Sequence, residues 1–383
     1  RRIAEMAARR PRCHRSGEHV GARPASREGP LVVMRVAIVG AGSLGTVHAR
    51  AAASLPGVRV THVAELDRDR AVALAESVGA HAAGDPSDVV GRDDVDAEVV
   101  AVPTDRHREV VEIAAASGKH VFCEKPLALT MTDARAMIDA CARSGVRLMV
   151  GQVVRFFPEY ARIGALLREG AVGTVATVRA RRLNVHPGAH RSWYADPARS
   201  GGLIVDLMIH DLDTMRWYFG EAERVMAHDL SDRPTRDTVD YAVATVRFRG
   251  GEIGHVEASW SHQRFRTAIE VAGEAGLLRH DSQEAKTLRI ERPESTGADY
   301  VPTNPSGESP YRAELRHFFD RLADGEPFLT PGEEAAASLA LALAVRDSAH
   351  TGRPAVPEPV SLPSPPPDPG PQPGDSPLPG AGR

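Results

Sequence analysis

Lysine is scarce. Of 47 basic side chains only Lys119, Lys125 and Lys286 are lysine, and arginine supplies the rest. Arginine keeps its proton in any protein setting, whereas a buried lysine can titrate near neutrality. A lysine that reaches a reaction crevice is therefore a candidate for proton transfer, against the plainer reading of a surface lysine in a turn. Cysteine is equally sparse. Cys13, Cys123 and Cys141 are too few and too scattered for a disulfide framework or a zinc cage, so a reducing, cytoplasmic setting is expected. No apolar run is long enough to span a membrane. The net charge of −4 leaves no basic surplus for a nucleic-acid partner. His210 and Asp213 could share a metal, but no further His or Cys cluster has ligand spacing, so no metal is expected.

What remains is a chain of 383 residues, 42% hydrophobic, long enough for two domains with their own cores. Both ends stand apart. Residues 1–33 carry eight arginines against three glutamates with no hydrophobic periodicity, and Met34 directly precedes the first strand. They read as a leader that is not translated, or else as an Arg-rich transit peptide. Residues 357–383 hold 11 prolines and are expected to be disordered or polyproline-like.

The chain is organised around V-A-I-V-G-A-G-S-L-G, Val36–Gly45. A short β-branched run is followed by Gly40, Gly42 and Gly45 at G-x-G-x-x-G spacing, and Ser43 and Leu44 open an Ala-rich helix. In this setting the first glycine permits a tight turn, the second lets a pyrophosphate approach the backbone, and the third lets helix and strand pack closely. The free amides of the helix N-terminus attract phosphate. A second apolar run, Val58–Ala64, ends in Glu65, at the distance expected for an acid that holds a ribose hydroxyl pair. Glu65 would repel a ribose 2′-phosphate, so NAD is favoured, with NADP as the alternative. Asp67 rivals Glu65 for the role, and Arg68 or Arg70 would soften the preference.

Strands and helices then alternate: helix Arg68–Val78, strand Ala97–Val102, a helix to Ser117, strand His120–Cys123, a helix capped by Thr130 running to Arg143, and strand Arg147–Val150. Alternation of this kind predicts an α/β fold with a doubly wound parallel sheet over residues 34–152. Ligands of such sheets sit at the carboxyl ends of the strands, which collects Gly40–Gly45, Glu65, Pro103-Thr104-Asp105-Arg106-His107 and Glu124-Lys125-Pro126 in one crevice. A cis bond at Pro126 would fix the aim of Lys125. From 153 to 356 an α+β domain with a mainly antiparallel open sheet is expected. Val175–Val185 alternates like a strand, and a hairpin turns at Gly250-Gly251. Helices Pro310–Ala323 and Pro331–His350 close the fold, the second packing back on the first domain.

The other cluster is Ser200–Gly220, a largely apolar helix after Gly201-Gly202. Asp206, His210 and Asp213 are spaced four and three apart, so they share a stripe. Buried ionisable groups must be paired or used. A carboxylate beside a histidine would raise the imidazole pKa and orient the ring as a general base. The alternative is a self-satisfied polar triplet. Trp193 and Tyr194, in the preceding loop, would wall the pocket or merely pack.

These motifs together resemble the glucose–fructose oxidoreductase / inositol dehydrogenase / MocA family. The likeness runs from Met34 to Val356 and rests on V-G-A-G-S-L-G (Val39–Gly45), E-K-P (Glu124–Pro126) and G-G-x-x-x-D-x-x-x-H-D-x-D (Gly201–Asp213). It implies a Rossmann domain, an open sheet that often serves as an oligomer interface, hence a homodimer or homotetramer, and NAD-dependent oxidation of a sugar or cyclitol hydroxyl. It also implies that Lys125 contacts the reacting oxygen and that Asp206 and His210 form the proton-transfer pair. Arg155 and Asp213 match positions lining the substrate pocket, and His107 matches a histidine near the cofactor. Relatives that use NAD to cleave glycosides without net redox change, and non-catalytic NAD-binding sensors, are the competing readings.

Overall fold

The computed structural model describes residues 33–89, 92–186, 193–194, 196–230, 240–284, 288–292, 298–300 and 307–361. The Arg-rich segment before Val33, Lys286 and most of the Pro-rich tail lie outside them.

Six parallel strands form the first sheet: β1 (Met34–Val39), β2 (Val58–Ala64), β3 (His81–Ala83), β4 (Ala97–Val100), β5 (His120–Glu124) and β6 (Leu148–Gly151), in the order β3-β2-β1-β4-β5-β6. Val36, Ile38, Val99 and Phe122 are fully buried, as both faces of a parallel sheet require. Helices α1 (Ser43–Ala53), α2 (Arg68–Val78), α3 (His107–Ala116) and α4 (Met131–Arg143) make the crossovers. Their ends follow the residues that predict them. The hydroxyl of Thr130 accepts from the amide of Asp133 at 3.1 Å, and Gly79 closes α2 in the left-handed region at φ 69°. The order reverses between β1 and β4, which opens a crevice at their carboxyl ends.

After α5 (Pro158–Arg168) the second sheet begins with β7 (Val175–Val185). A short helix, α6 (Pro197–Ser200), and α7 (Ile209–Phe219) precede β8 (Ala222–Asp229), β9 (Tyr241–Phe248), β10 (Ile253–Ser259), β11 (Ser261–Gly273), β12 (Gly276–Asp281), β13 (Leu288–Glu291) and β14 (Ala298–Tyr300). Their order is β14-β13-β12-β11-β7-β10-β9-β8, and only the β10–β7 pair is parallel. One face, with Val178, Ala180, Ala244 and Val256, is buried. Helix α8 (Pro310–Asp324) lies against α1, and α9 (Gly332–Thr351) lies against α4, α7 and β8, so α9 ties the two sheets together.

Glu98, in the middle of β4, is a liability of this core. It is fully buried, and neither carboxylate oxygen has a hydrogen-bond partner among the described residues. Burial pushes its pKa up to about 7, and the charge of Lys119 only partly opposes that. Unfolded, the group titrates near 4.5. The fold therefore binds the extra proton between those values, and stability falls as pH rises through that window. Glu98→Gln should remove the fall, worth about 3 kcal/mol between pH 4.5 and 8. Urea midpoints measured at both ends of the range test this; equal pH slopes in parent and variant would contradict it.

Candidate active site

The glycine loop after β1 fits a dinucleotide. Gly40 has φ 103°, and a Cβ there would lie 2.5 Å from the carbonyl oxygen of Ala101 on the neighbouring chain end. A Cβ on Gly45 would overlap the Gly40 carbonyl at 1.8 Å. Gly42 faces open space, and as the residue before α1 it caps the helix with no side chain. The first turn of α1 thus receives no side-chain cap from Gly42, and a helix N-terminus of this kind suits a pyrophosphate. At the end of β2 the Glu65 carboxylate accepts from the amide of Ala41 at 2.9 Å and from that of Asp67 at 3.1 Å. It thus stands beside the glycine loop. Asp67 is engaged elsewhere: it caps α2 by accepting from Asp69 and Arg70, both at 3.2 Å.

Two residues expected at the cofactor have their side chains engaged within the protein. His107 is 1% exposed. Its Nδ1 lies 3.0 Å from the Pro126 carbonyl and its Nε2 3.1 Å from that of Val102, so it staples the turn after β4 to the turn after β5. Burial lowers its pKa, because the apolar setting penalises the charged ring more than these carbonyls reward it. Glu124 is also buried, with Oε1 2.6 Å from Nε2 of His48 and Oε2 accepting from the Lys125 amide at 3.0 Å. Both carboxylate oxygens are therefore committed within the protein. Thr104 is 5% exposed in the turn that follows Pro103.

Lys125 leaves the end of β5 through a cis Lys125–Pro126 bond and reaches the second half of the chain. Its Nζ donates to Oδ1 of Asp206 at 3.0 Å and to the Asp206 carbonyl at 2.9 Å. The side chains are 9% and 4% exposed, so the pair is nearly desolvated. Gly201 and Gly202 shape the turn that leads into this segment. Both have positive φ, 83° and 67°, and a Cβ on Gly201 would press to 2.7 Å from Val205.

The expected single helix stripe is not what forms. Ile204–Met208 make a π-helical turn before α7 begins at Ile209. The wider i→i+5 turn changes the angular step between Asp206 and the two residues of α7, His210 and Asp213. Asp206 turns to Lys125, and its other oxygen accepts from the Tyr194 hydroxyl. No hydrogen bond joins it to His210, whose Nδ1 is sealed from solvent without a partner among the described residues. The expected rise in the His210 pKa is reversed. Burial first, then the charges of Lys125 and Arg182, hold it well below the usual imidazole range. The ring is therefore neutral at neutral pH and able to accept a proton. Lys125 is near enough for its charge to bear on the ring.

Arg155 and Asp213 do not line an opening in this structure. They are 3% and 0% exposed and form a bidentate pair at 2.8 and 2.9 Å. Ser338 of α9 donates to Asp213 at 2.7 Å, and Glu334 accepts from both Arg155 and Arg216 at 3.2 Å. This network clamps α7 to α9. Arg182 and Asp211, a buried pair at 2.9 Å that sequence reading passed over, anchor α7 to β7.

The matched families agree with this geometry. Residues 34–152 match the family model described as an oxidoreductase family with an NAD-binding Rossmann fold, and residues 160–279 match the GFO/IDH/MocA C-terminal domain. The D-apiose dehydrogenase of Paraburkholderia graminis is 30% identical over 333 residues, covering 83% of this chain and 88% of that one. The chain belongs to the Gfo/Idh/MocA oxidoreductase family. The myo-inositol 2-dehydrogenase of Thermotoga maritima is a second relative, 29% identical over 82% of this chain and 96% of its own. The crystal structure of a putative myo-inositol dehydrogenase from Sinorhizobium meliloti superposes with a TM-score of 0.73 at 27% identity, covering 85% of this chain and 100% of that chain. The family resemblance in the glycine loop, the E-K-P turn and the late helix thus carries through to the fold, and the cofactor of the first half is NAD.

Proposed function

We propose that the chain is an NAD-dependent dehydrogenase that oxidises a secondary hydroxyl of a cyclitol or sugar. One observation carries the reading: Lys125 and Asp206, 81 positions apart, are joined at the mouth of the cofactor crevice, and a neutral histidine lies within the field of that lysine. The named relatives, a cyclitol dehydrogenase and a sugar dehydrogenase, support the substrate class.

Bound NAD would lie on the glycine loop and Glu65, and it supplies the acceptor for the hydride. The chain supplies the rest. His210 takes the hydroxyl proton. Lys125 donates a hydrogen bond to the same oxygen as negative charge develops on it, and Asp206 keeps the ammonium in place. Proton transfer of this kind contributes about 10²–10⁴-fold; positioning of the carbinol carbon supplies the remainder. Arg155 and Asp213 act by fixing α7. The setting is cytoplasmic, in keeping with the buried free thiols of Cys123 and Cys141. The open face of the second sheet, with Arg179, Thr245 and Arg247, suits pairing of two copies into a homodimer or homotetramer.

A screen for NADH formation across cyclitols, aldoses, amino sugars and their nucleotide conjugates tests the function. Net NADH with a free polyol is expected. Glycoside cleavage without net NADH, or NAD binding with no turnover of any of them, would overturn it.

A further inference from the structure

We propose that Tyr194 is a positioning residue that holds the Asp206 carboxylate on Lys125 and away from His210. The inference rests on the catalytic reading above for its kinetic consequence, but its geometry stands alone. Asp206 has two oxygens and receives a donor on each: Lys125 on Oδ1 and the Tyr194 hydroxyl on Oδ2. With a donor on each oxygen the carboxylate is held toward Lys125 and Tyr194, and Nδ1 of His210 has no partner among the described residues. The phenol is itself held in place. Trp193 meets the Tyr194 ring edge-on at 4.9 Å between centroids, and Trp260, buried at the end of β10, backs it at 6.0 Å. An aromatic ring fixed in this way loses little further freedom in making its hydrogen bond.

The division of labour follows from where the charges stand. The charges that bear on His210 are Lys125 from the β5 turn and Arg182 of β7, whose own partner is Asp211. Burial first, and then these two cations, hold the imidazole pKa down. If Asp206 swung across, its charge would favour the imidazolium, and the site would lose both a free base and a fixed ammonium. Tyr194 prevents this at a distance from the reacting atoms, which is why it is a positioning residue and not a catalytic one.

Tyr194→Phe keeps the ring and its packing and removes only the donor. Turnover should fall by roughly tenfold to a hundredfold, the scale of one hydrogen bond to a charged group. The polyol KM and the NAD dissociation constant should stay within about threefold, since ground-state contacts are untouched. In an Asp206→Asn background the same substitution should cost nothing further, because the group it acts through has lost its charge. Independently of any substrate, NMR titration of His210 in the labelled full-length protein should move to higher pH in Tyr194→Phe. Parental turnover and an unmoved titration would overturn the proposal, as would an undiminished loss in the Asp206→Asn background. Full turnover in Asp206→Asn alone would instead overturn the catalytic reading, and the titration would still decide the role of Tyr194.

Discussion

Lys125→Met is expected to lose about 10²–10⁴-fold in turnover while binding NAD as tightly as the parent, within about threefold. The side chain is nearly isosteric, so the turn after β5 should survive. What disappears is the ammonium between the two halves of the chain. Asp206 would then keep only the Tyr194 hydroxyl as a side-chain donor, and the developing alkoxide would have no cation beside it. Lys125→Arg should not restore the rate, because the guanidinium is a planar fork in place of a compact point charge. Steady-state kinetics beside calorimetric NAD binding separates the two effects. Turnover within tenfold of the parent in Lys125→Met would remove the lysine from the chemistry.

The second large effect is on stability. Asp213→Ala leaves the Arg155 guanidinium buried with Glu334 as its remaining carboxylate, itself shared with Arg216. Breaking one side of a buried pair costs about 3–5 kcal/mol, a large part of a typical folding free energy. The urea midpoint should fall accordingly, and Asp213→Asn should recover part of the loss by keeping an acceptor for Ser338 or Arg155. At a temperature where the variant is folded, its polyol KM should be close to that of the parent. A variant of parental stability with a strongly raised KM would return Asp213 to the substrate pocket that the family likeness implies for it.

Those two residues show where the sequence was readable. The turn at Gly40, Gly42 and Gly45 was legible because it depends on backbone torsions and close approach within one β-α-β unit. Lys125 was legible through the rarity of lysine in an arginine-rich chain. The cap at Thr130 and the stop at Gly79 are local chemistry, and local chemistry is written locally.

Long-range partners were not. Whether a carboxylate on a helix meets an imidazole, an ammonium or a guanidinium depends on which strand end stands opposite. The π-helical turn at Ile204–Met208 leaves no mark in spacing, so Asp206, His210 and Asp213 looked like one stripe, whereas Asp206 meets Lys125, Asp213 meets Arg155, and Nδ1 of His210 has no partner among the described residues. His107 and Glu124 are next to the crevice in sequence, yet their side chains turn inward to carbonyls and to His48. β3 was missed because three residues, His81-Ala82-Ala83, are too short and too exposed for a period to register. α5 did carry a signal, Pro158 in its first turn with Tyr160, Ile163 and Leu166 buried at helical spacing, and it could have been found. Tyr194 was visible only as a loop aromatic; its hydroxyl gained meaning once Asp206 lay in front of it.

The central claim is that one hydroxyl oxygen is met by two groups from opposite halves of the chain. A crystal structure of the full chain with NAD and the polyol found in the screen measures this directly. Lys125 Nζ and a ring nitrogen of His210 are predicted within hydrogen-bond distance of the same substrate oxygen, beside the nicotinamide. Density that places either side chain in a different cavity, with the glycine loop still holding the cofactor, would contradict the account.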